Sequence, residues 1–292
     1  MSQLLKLNIW FEGSRPKTIP AAIVPVIVGT ASVENGLTLH RFVLALVVSI
    51  ALQVGVNYAN DYSDGIRGTD QDRIGPRRLV GSGLINANQV KLAAGISFLI
   101  AAIAGLVLAI MTSLWLILIG CVAILAAWFY TGGSRPYGYS GYGEVSVFVF
   151  FGLVATVGSS YVQSQTIESI SILCSVPVGL LASALLVVNN FRDIETDSET
   201  GKQTFAVRLG KAKTKVFFAL LLLASIGMYV LIAVFYTYLV LITLVVIPLI
   251  IKLIYDIFSK ENAQDLINLL ENTAKLHLLA GILLSIGLAA GL

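Results

Sequence analysis

The sequence predicts an all-α polytopic membrane protein, a bundle of about nine transmembrane helices around a central cavity open to the cytoplasmic face. Three observations predict it. Of the 292 residues, 57% are hydrophobic and only 12% are charged, half of the roughly 25% charge usual in soluble domains. The mean hydropathy of +0.88 leaves too few polar side chains to clothe a surface in water. The apolar residues also gather into runs of about 20, the length a helix needs to cross a bilayer, and the alternating ten-residue segments of a membrane barrel are absent.

Taken in order, the runs fall at 17–33, 40–59, 88–110, 113–130, 145–163, 168–190, 214–233, 236–255 and 273–291. The short gaps at 110–113 and 233–236 predict tight hairpins. Residues 1–17 carry Lys6, Glu12, Arg15 and Lys17 without an adequate apolar core, so no cleavable leader is expected and the first span doubles as the targeting signal. Arg15-Pro16-Lys17 reads as a flanking anchor for that span. The stretch 256–271 reads as an amphipathic connecting helix lying at the interface. Cys121 and Cys174 sit in apolar runs and read as small buried core residues.

With an odd number of spans, the N-terminus and the loops after spans two, four, six and eight share one side, and the C-terminus lies on the other. Of the 19 Lys and Arg, only Arg41 falls opposite; of the 16 Asp and Glu, only Glu34 and Glu168 do. The basic bias makes the charged side cytoplasmic, in the cell membrane. The acidic bias is outside that rule and needs a separate cause. The longest loops, 60–87 and 191–213, lie on the same side, so function is expected there.

Two segments supply the acids. The first runs Asn57-Tyr-Ala-Asn60-Asp61-Tyr-Ser-Asp64-Gly-Ile-Arg67-Gly-Thr-Asp70 at the end of span two; the second runs Asn189-Asn-Phe-Arg192-Asp193-Ile-Glu-Thr-Asp197 at the end of span six. Asn57, Asp61 and Asp64 share a helical face, as do Asn189, Asp193 and Asp197. The repeated Asn-x₃-Asp arrangement predicts one domain, 1–292, built of two pseudo-repeated halves at about 15–130 and 145–255, with two half-sites facing across the cavity.

Carboxylates crowded on one face repel unless they are solvated or neutralised. Hard oxygen donors suit Mg²⁺, which takes one or two carboxylates, several waters and substrate phosphates. Arg67, Arg73, Arg77 and Arg78 accompany the first segment, and Arg192, Lys202 and Arg208 the second; Arg forks onto phosphate oxygens and Lys serves as a point charge. The pattern points to Mg²⁺ and a diphosphate. Asn at membrane depth is costly without a partner, and an active site provides one.

The loop Tyr130-Thr-Gly-Gly-Ser134-Arg135-Pro-Tyr137-Gly-Tyr139 offers hydroxyls and π faces that stabilise cations, or an interfacial Tyr belt. His40 and His277 stand alone, which excludes a His-based metal site and a Ser-His-Asp triad. A net charge of +3 is small for a nucleic-acid partner, and none is expected. An ion-coupled transporter also carries paired Asp/Asn sites, but near the midplane on broken helices, whereas these acids lie at helix ends among Arg and Lys.

Over nearly its whole length the chain resembles the UbiA superfamily of intramembrane prenyltransferases. The resemblance rests on Arg15-Pro-Lys-Thr-Ile-Pro20, on Asn60-Asp-Tyr-Ser-Asp-Gly-Ile-Arg-Gly-Thr-Asp70 with Arg73 and Gly75-Pro76, and on Arg78-Leu-Val-Gly-Ser-Gly83. Tyr130-Thr-Gly-Gly133 and Asn189–Asp197 with Gly201-Lys202 complete it. Position 68 is Gly and the third acid arrives at Asp70, which resembles the naphthoate branch. Ser134 stands where much of the superfamily has Lys, with Arg135 adjacent.

The resemblance implies Mg²⁺-dependent transfer of a polyprenyl group from its diphosphate to 1,4-dihydroxy-2-naphthoate, with release of diphosphate and CO₂ to form demethylmenaquinone, a step of menaquinone biosynthesis. Homogentisate, 4-hydroxybenzoate or a glycerol-phosphate lipid are the alternative acceptors. Asp61, Asp64, Asp193 and Asp197 would hold the metal, supported by Asn57 and Asn189. Arg67, Arg135, Lys202 and Tyr130 would hold the diphosphate. Tyr130 and Tyr139 would shield an allylic cation, Asp70 or Asp72 is the candidate base, and Arg15 flanks the acceptor. The isoprenoid tail would enter from membrane lipid.

Overall fold

The computed structural model describes residues 3–34, 37–69, 77–260 and 262–292, with side chains from residue 8 onward. Their regular structure is all helical, with no strand among the described residues. In chain order the elements are α1 (Gln3–Gly13), a 3₁₀ turn (Pro16–Thr18), α2 (Ile19–Ala31), α3 (Leu39–Arg67), α4 (Ala87–Met111) and α5 (Trp115–Phe129). There follow α6 (Gly143–Val147), a π-helix (Phe148–Val154), α7 (Ala155–Ser164), α8 (Ser169–Arg192), α9 (Ile194–Glu199) and α10 (Phe205–Phe235). A 3₁₀ stretch (Tyr238–Val246), α11 (Ile247–Ser259) and α12 (Ala263–Gly291) complete the chain.

Among the described residues, seven helical stretches are long and apolar enough to cross a membrane: α3, α4, α6 through α7, α8, α10, Tyr238 through α11, and α12. The expected spans 17–33 and 113–130 are helical too but shorter, α2 with 13 residues and α5 with 15. The expected tight hairpins are present between α4 and α5 and between α10 and the 3₁₀ stretch. Large apolar residues such as Ile110, Leu114, Trp115, Val234 and Phe235 are exposed on the outside, where only lipid would accept so much apolar surface. The chain is an integral membrane protein.

Two sequence expectations fail here. Asp256–Glu271 is no separate interfacial helix: α11 runs to Ser259 and α12 begins at Ala263, capped by Asn262, whose Oδ1 accepts from the Asp265 amide at 2.9 Å. Cys174 is buried and free as expected, but Cys121 is exposed on α5, because α5 buries none of its residues. Arg41, the cation that fell on the opposite side, donates to the carbonyls of Val162 and Gln163 at 3.1 Å each. A cation on the last carbonyls of α7 is favoured by the helix dipole.

The main apolar core joins α2, α8, α10, α11 and α12 through Val178, Leu181, Phe218, Leu222, Leu253 and Leu284. A smaller cluster around Tyr58, Leu79 and Phe98 joins α1, α3 and α4. Between them α3, α5 and α6 through α7 enclose a cavity. The turns of the π-helix bring Phe150, Phe151 and Val154 to its wall; such widened turns recur at functional sites.

Both acidic segments end on a left-handed glycine. Gly68 (φ 71°) closes α3, its amide bonding back to the carbonyls of Asp64 and Gly65; Gly201 (φ 77°) follows α9, where Lys202 N bonds the Asp197 carbonyl at 2.8 Å. Glycine takes this conformation without the Cβ clash other residues meet.

Candidate active site

The cavity has a volume of about 410 Å³, within the ~300–1,000 Å³ of small-molecule sites. Its deep end is apolar, walled by Val26, Ala45, Leu108, Leu116, Ile119 and Val162; its mouth is polar, walled by Asn57, Asn60, Asp64, Asn189, Asp193 and Asp197. Arg15, Arg78, Tyr130, Tyr139 and Lys202 line the mouth as well.

Lys202 joins the two acidic segments. Its Nζ lies 3.4 Å from Asp64 Oδ1 and 3.8 Å from Asp197 Oδ1, and 4.7 Å from the centre of the Tyr139 ring. All three charged groups are nearly buried, so their mutual attraction is screened far less than at a surface. Arg78 Nη2 stands 3.4 Å from Asp64 Oδ2 on the other side. In the second segment Arg192 grips Asp193 with Nε and Nη2 at 2.7 and 2.8 Å, and Nη2 also donates to Asn189 Oδ1 at 3.0 Å. The acids are thus neutralised in pairs by interleaved cations.

Helix geometry differs between the two acidic segments. Asn57, Asp61 and Asp64 of the first segment lie on the one helix α3, as their spacing predicts. The second is broken: α8 stops at Arg192, Asp193 has φ −97° and ψ 8°, and Asp197 sits on the separate α9. Asp197 N still bonds the Asp193 carbonyl at 2.8 Å, so Asn189, Asp193 and Asp197 reach one wall across a break.

Not every predicted residue faces the cavity. Asp61 does not line it; its Oδ2 and Oδ1 accept the amides of Leu79 and Val80 at 2.8 and 2.9 Å. Arg67 is turned onto the 131–133 loop, its guanidinium donating to the carbonyls of Thr131 and Gly133. Arg135 is exposed and outside the wall. Asp70, Asp72 and Arg73 lie outside the described residues. Among the described residues, no three His, Cys, Asp or Glu side chains gather closely enough to hold a metal by themselves.

Tyr139 donates its hydroxyl to Asp64. Burial first, and then the Asp64 carboxylate, raise the Tyr139 pKa above its ordinary value, so the hydroxyl remains a donor throughout the neutral range. Phe at 139 would keep the ring under Lys202 and lose this bond together with the long 3.5 Å bond that the hydroxyl accepts from Arg67 Nη1. Hydrogen bonds to charged groups contribute about 1.5–3 kcal/mol, so Tyr139→Phe should lower turnover by about tenfold. Steady-state rates of the two proteins check this.

The sequence profile of the UbiA prenyltransferase family matches residues 22–279. The chain belongs to that family. It is 44% identical to the 1,4-dihydroxy-2-naphthoate octaprenyltransferase of Mycobacterium tuberculosis over 97% of each chain. To the Escherichia coli enzyme of that name it is 36% identical over 98% of this chain and 96% of the relative. The solved structure of a UbiA homolog from Archaeoglobus fulgidus bound to GPP and Mg²⁺ shares its fold, with a TM-score of 0.63 at 16% identity, covering 94% of this chain and 99% of the other.

The cavity wall also holds Asn60 and Asn190, two asparagines of the acidic segments that were given no metal or diphosphate role. Asn60 Oδ1 accepts from Thr131 Oγ1 at 2.8 Å, tying α3 to the Tyr130 loop. Asn190 Nδ2 donates to buried Glu144 Oε1 at 2.9 Å. Both asparagines directly neighbour a predicted residue, and their cost at membrane depth was the available signal.

Proposed function

We propose that this UbiA-family protein transfers a polyprenyl group from its diphosphate to 1,4-dihydroxy-2-naphthoate, with Mg²⁺ as cofactor. The observation that carries the proposal is the Lys202 bridge between Asp64 and Asp197 at the polar mouth of an otherwise apolar cavity. The acceptor follows from the name and full-length similarity of the relatives.

The donor set fits the metal. Asp64, Asp193, Asp197 and Glu271 line the cavity, and among the described residues no three carboxylates converge, which suits an ion that takes one or two carboxylates and completes its shell with water and phosphate oxygens. Asp64, Asp193 and Asp197 would hold it, with Asn57 and Asn189 beside them, in two half-sites. When bound, Mg²⁺ neutralises the diphosphate and stabilises its departure.

Lys202 and Arg78, already at the mouth, stabilise the charge that grows on the leaving oxygen. Tyr130 and Tyr139 line the cavity, and their rings would stabilise the positive charge on the allylic carbon. The bond from that carbon to the diphosphate oxygen breaks, and the electron-rich acceptor ring bonds to it. The carboxylate leaves as CO₂, returning its bonding pair to the ring. The apolar wall along α3, α5 and the π-helix excludes water and takes the isoprenoid tail, which continues into membrane lipid. The charged mouth faces the cytoplasm and the C-terminus the other side.

Purified protein given Mg²⁺, labelled polyprenyl diphosphate and a series of aromatic acids should release diphosphate with dihydroxynaphthoate, and EDTA should abolish turnover. Prenylation of 4-hydroxybenzoate instead, or turnover that survives EDTA, would overturn the assignment.

A further inference from the structure

The two aspartates of Asn-Asp-Tyr-Ser-Asp do different things. At about 100° per residue, Asp64 lies some 20° to one side of Asn57 on the α3 helix and Asp61 about 40° to the other. That offset turns Asp61 off the cavity and toward the 77–85 turn. Both of its oxygens are engaged, by the amides of Leu79 and Val80, and it is only 1% exposed.

The turn it holds is fixed on three further sides. A Cβ at Gly65 would lie 2.4 Å from the Val80 side chain, and one at Gly13 would lie 2.5 Å from Leu79, so α1 and α3 both press on it. Gly83 N bonds the Val80 carbonyl at 2.9 Å and Ile85 N the Leu79 carbonyl at 3.0 Å, and Ser82 donates to the Arg78 carbonyl. Arg78 is the residue immediately before the two amides that Asp61 grips. Its guanidinium, 7% exposed, enters the cavity mouth beside Asp64.

We propose that Asp61 is a positioning residue and not a metal ligand: it clamps the 79–80 amides, and the clamp aims Arg78 at the diphosphate. A carboxylate suits the task because it offers a separate acceptor oxygen to each amide, whereas Asn puts a donor NH2 in place of one oxygen and Ala offers none. The helix turn between Asp61 and Asp64 thus separates the control of an arginine from the holding of the cation.

The assignment rests on Mg²⁺-dependent prenyl transfer, and the test separates the two. In the full-length protein in detergent, Asp61→Ala and Arg78→Ala should each raise the KM for polyprenyl diphosphate by about tenfold. The double variant should match either single one, because both remove the same contact. The Mg²⁺ concentration at half-maximal rate should stay at the wild-type value in all three, while Asp64→Ala raises it. Asp61→Asn, which keeps one acceptor, should lie between wild type and Asp61→Ala in KM and serves where the alanine variant fails to fold. A raised Mg²⁺ requirement in Asp61→Asn or Asp61→Ala, or effects of Asp61→Ala and Arg78→Ala that multiply, would overturn the clamp. Wild-type protein that turns over without Mg²⁺ would instead overturn the Mg²⁺ dependence of the proposed reaction.

Discussion

Asp64→Ala is expected to reduce prenyl transfer by about three orders of magnitude, the upper end of what one preorganised electrostatic group contributes. Asp64 is the point where four groups meet: its carboxylate accepts Tyr139, pairs with Arg78 and Lys202, and faces the cavity. Removing it withdraws a metal donor and also leaves two buried cations with less compensation. Breaking a buried pair from one side costs about 3–5 kcal/mol, so thermal stability should fall together with the rate. Lys202→Ala separates the contributions, because it relieves the excess positive charge while leaving Asp64 in place. Its expected signature is a raised KM for the diphosphate with an unchanged Mg²⁺ requirement. The double variant Asp64→Ala/Lys202→Ala should recover part of the lost stability and none of the lost activity. Thermal unfolding in detergent and single-turnover rates measure the two effects. Stability that falls further in the double variant would show that the Lys202 charge is not held by Asp64.

Much of this site is legible in the sequence because helical spacing is local. The spacing of Asn57, Asp61 and Asp64 implies one helix carrying all three over about two turns, and α3 does run through them. What spacing cannot show is which long-range partner each side of the helix meets. Asp61 and Asp64 look equivalent until the 77–85 turn folds back and occupies one of them. Arg67 and Arg135 look like phosphate ligands for the same reason. The Gly-rich 131–133 stretch leaves carbonyls for Arg67 to satisfy, and Arg135 points away from the mouth. Span lengths were blurred differently: apolar character continues past the ends of α2 and α5, while Arg15-Pro16 and the turn at Thr112–Leu114 limit the helices themselves.

The second large effect is expected far from any charge, at Gly152→Leu, which should leave little folded protein. Gly152 in the π-helix faces Gly179 in α8, and the obstacle to any side chain there is backbone. A Cβ at 152 would lie 2.7 Å from Gly179 Cα and 3.0 Å from the Ser175 carbonyl oxygen. A rotamer change cannot relieve such a contact, so the helices must separate. Overpacking a close contact costs about 1–3 kcal/mol even for small insertions, and Gly152→Ala should already lower the Tm in detergent by several degrees. Gly158→Ala is the control on the same helical stretch. A Cβ there meets nothing within 4 Å, although Gly158 lines the cavity, so its Tm should match wild type. The two glycines therefore separate packing from cavity shape. The crossing also has a catalytic consequence, since α8 carries Asn189 and leads into Asp193 while the π-helix carries Phe150 and Phe151. Forcing α8 outward at Gly179 moves one half-site away from the other, so the Gly152→Ala protein that does fold should transfer more slowly than its stability loss explains. A Gly152→Ala enzyme with full turnover at low temperature would show that the α8 crossing does not set the distance between the half-sites.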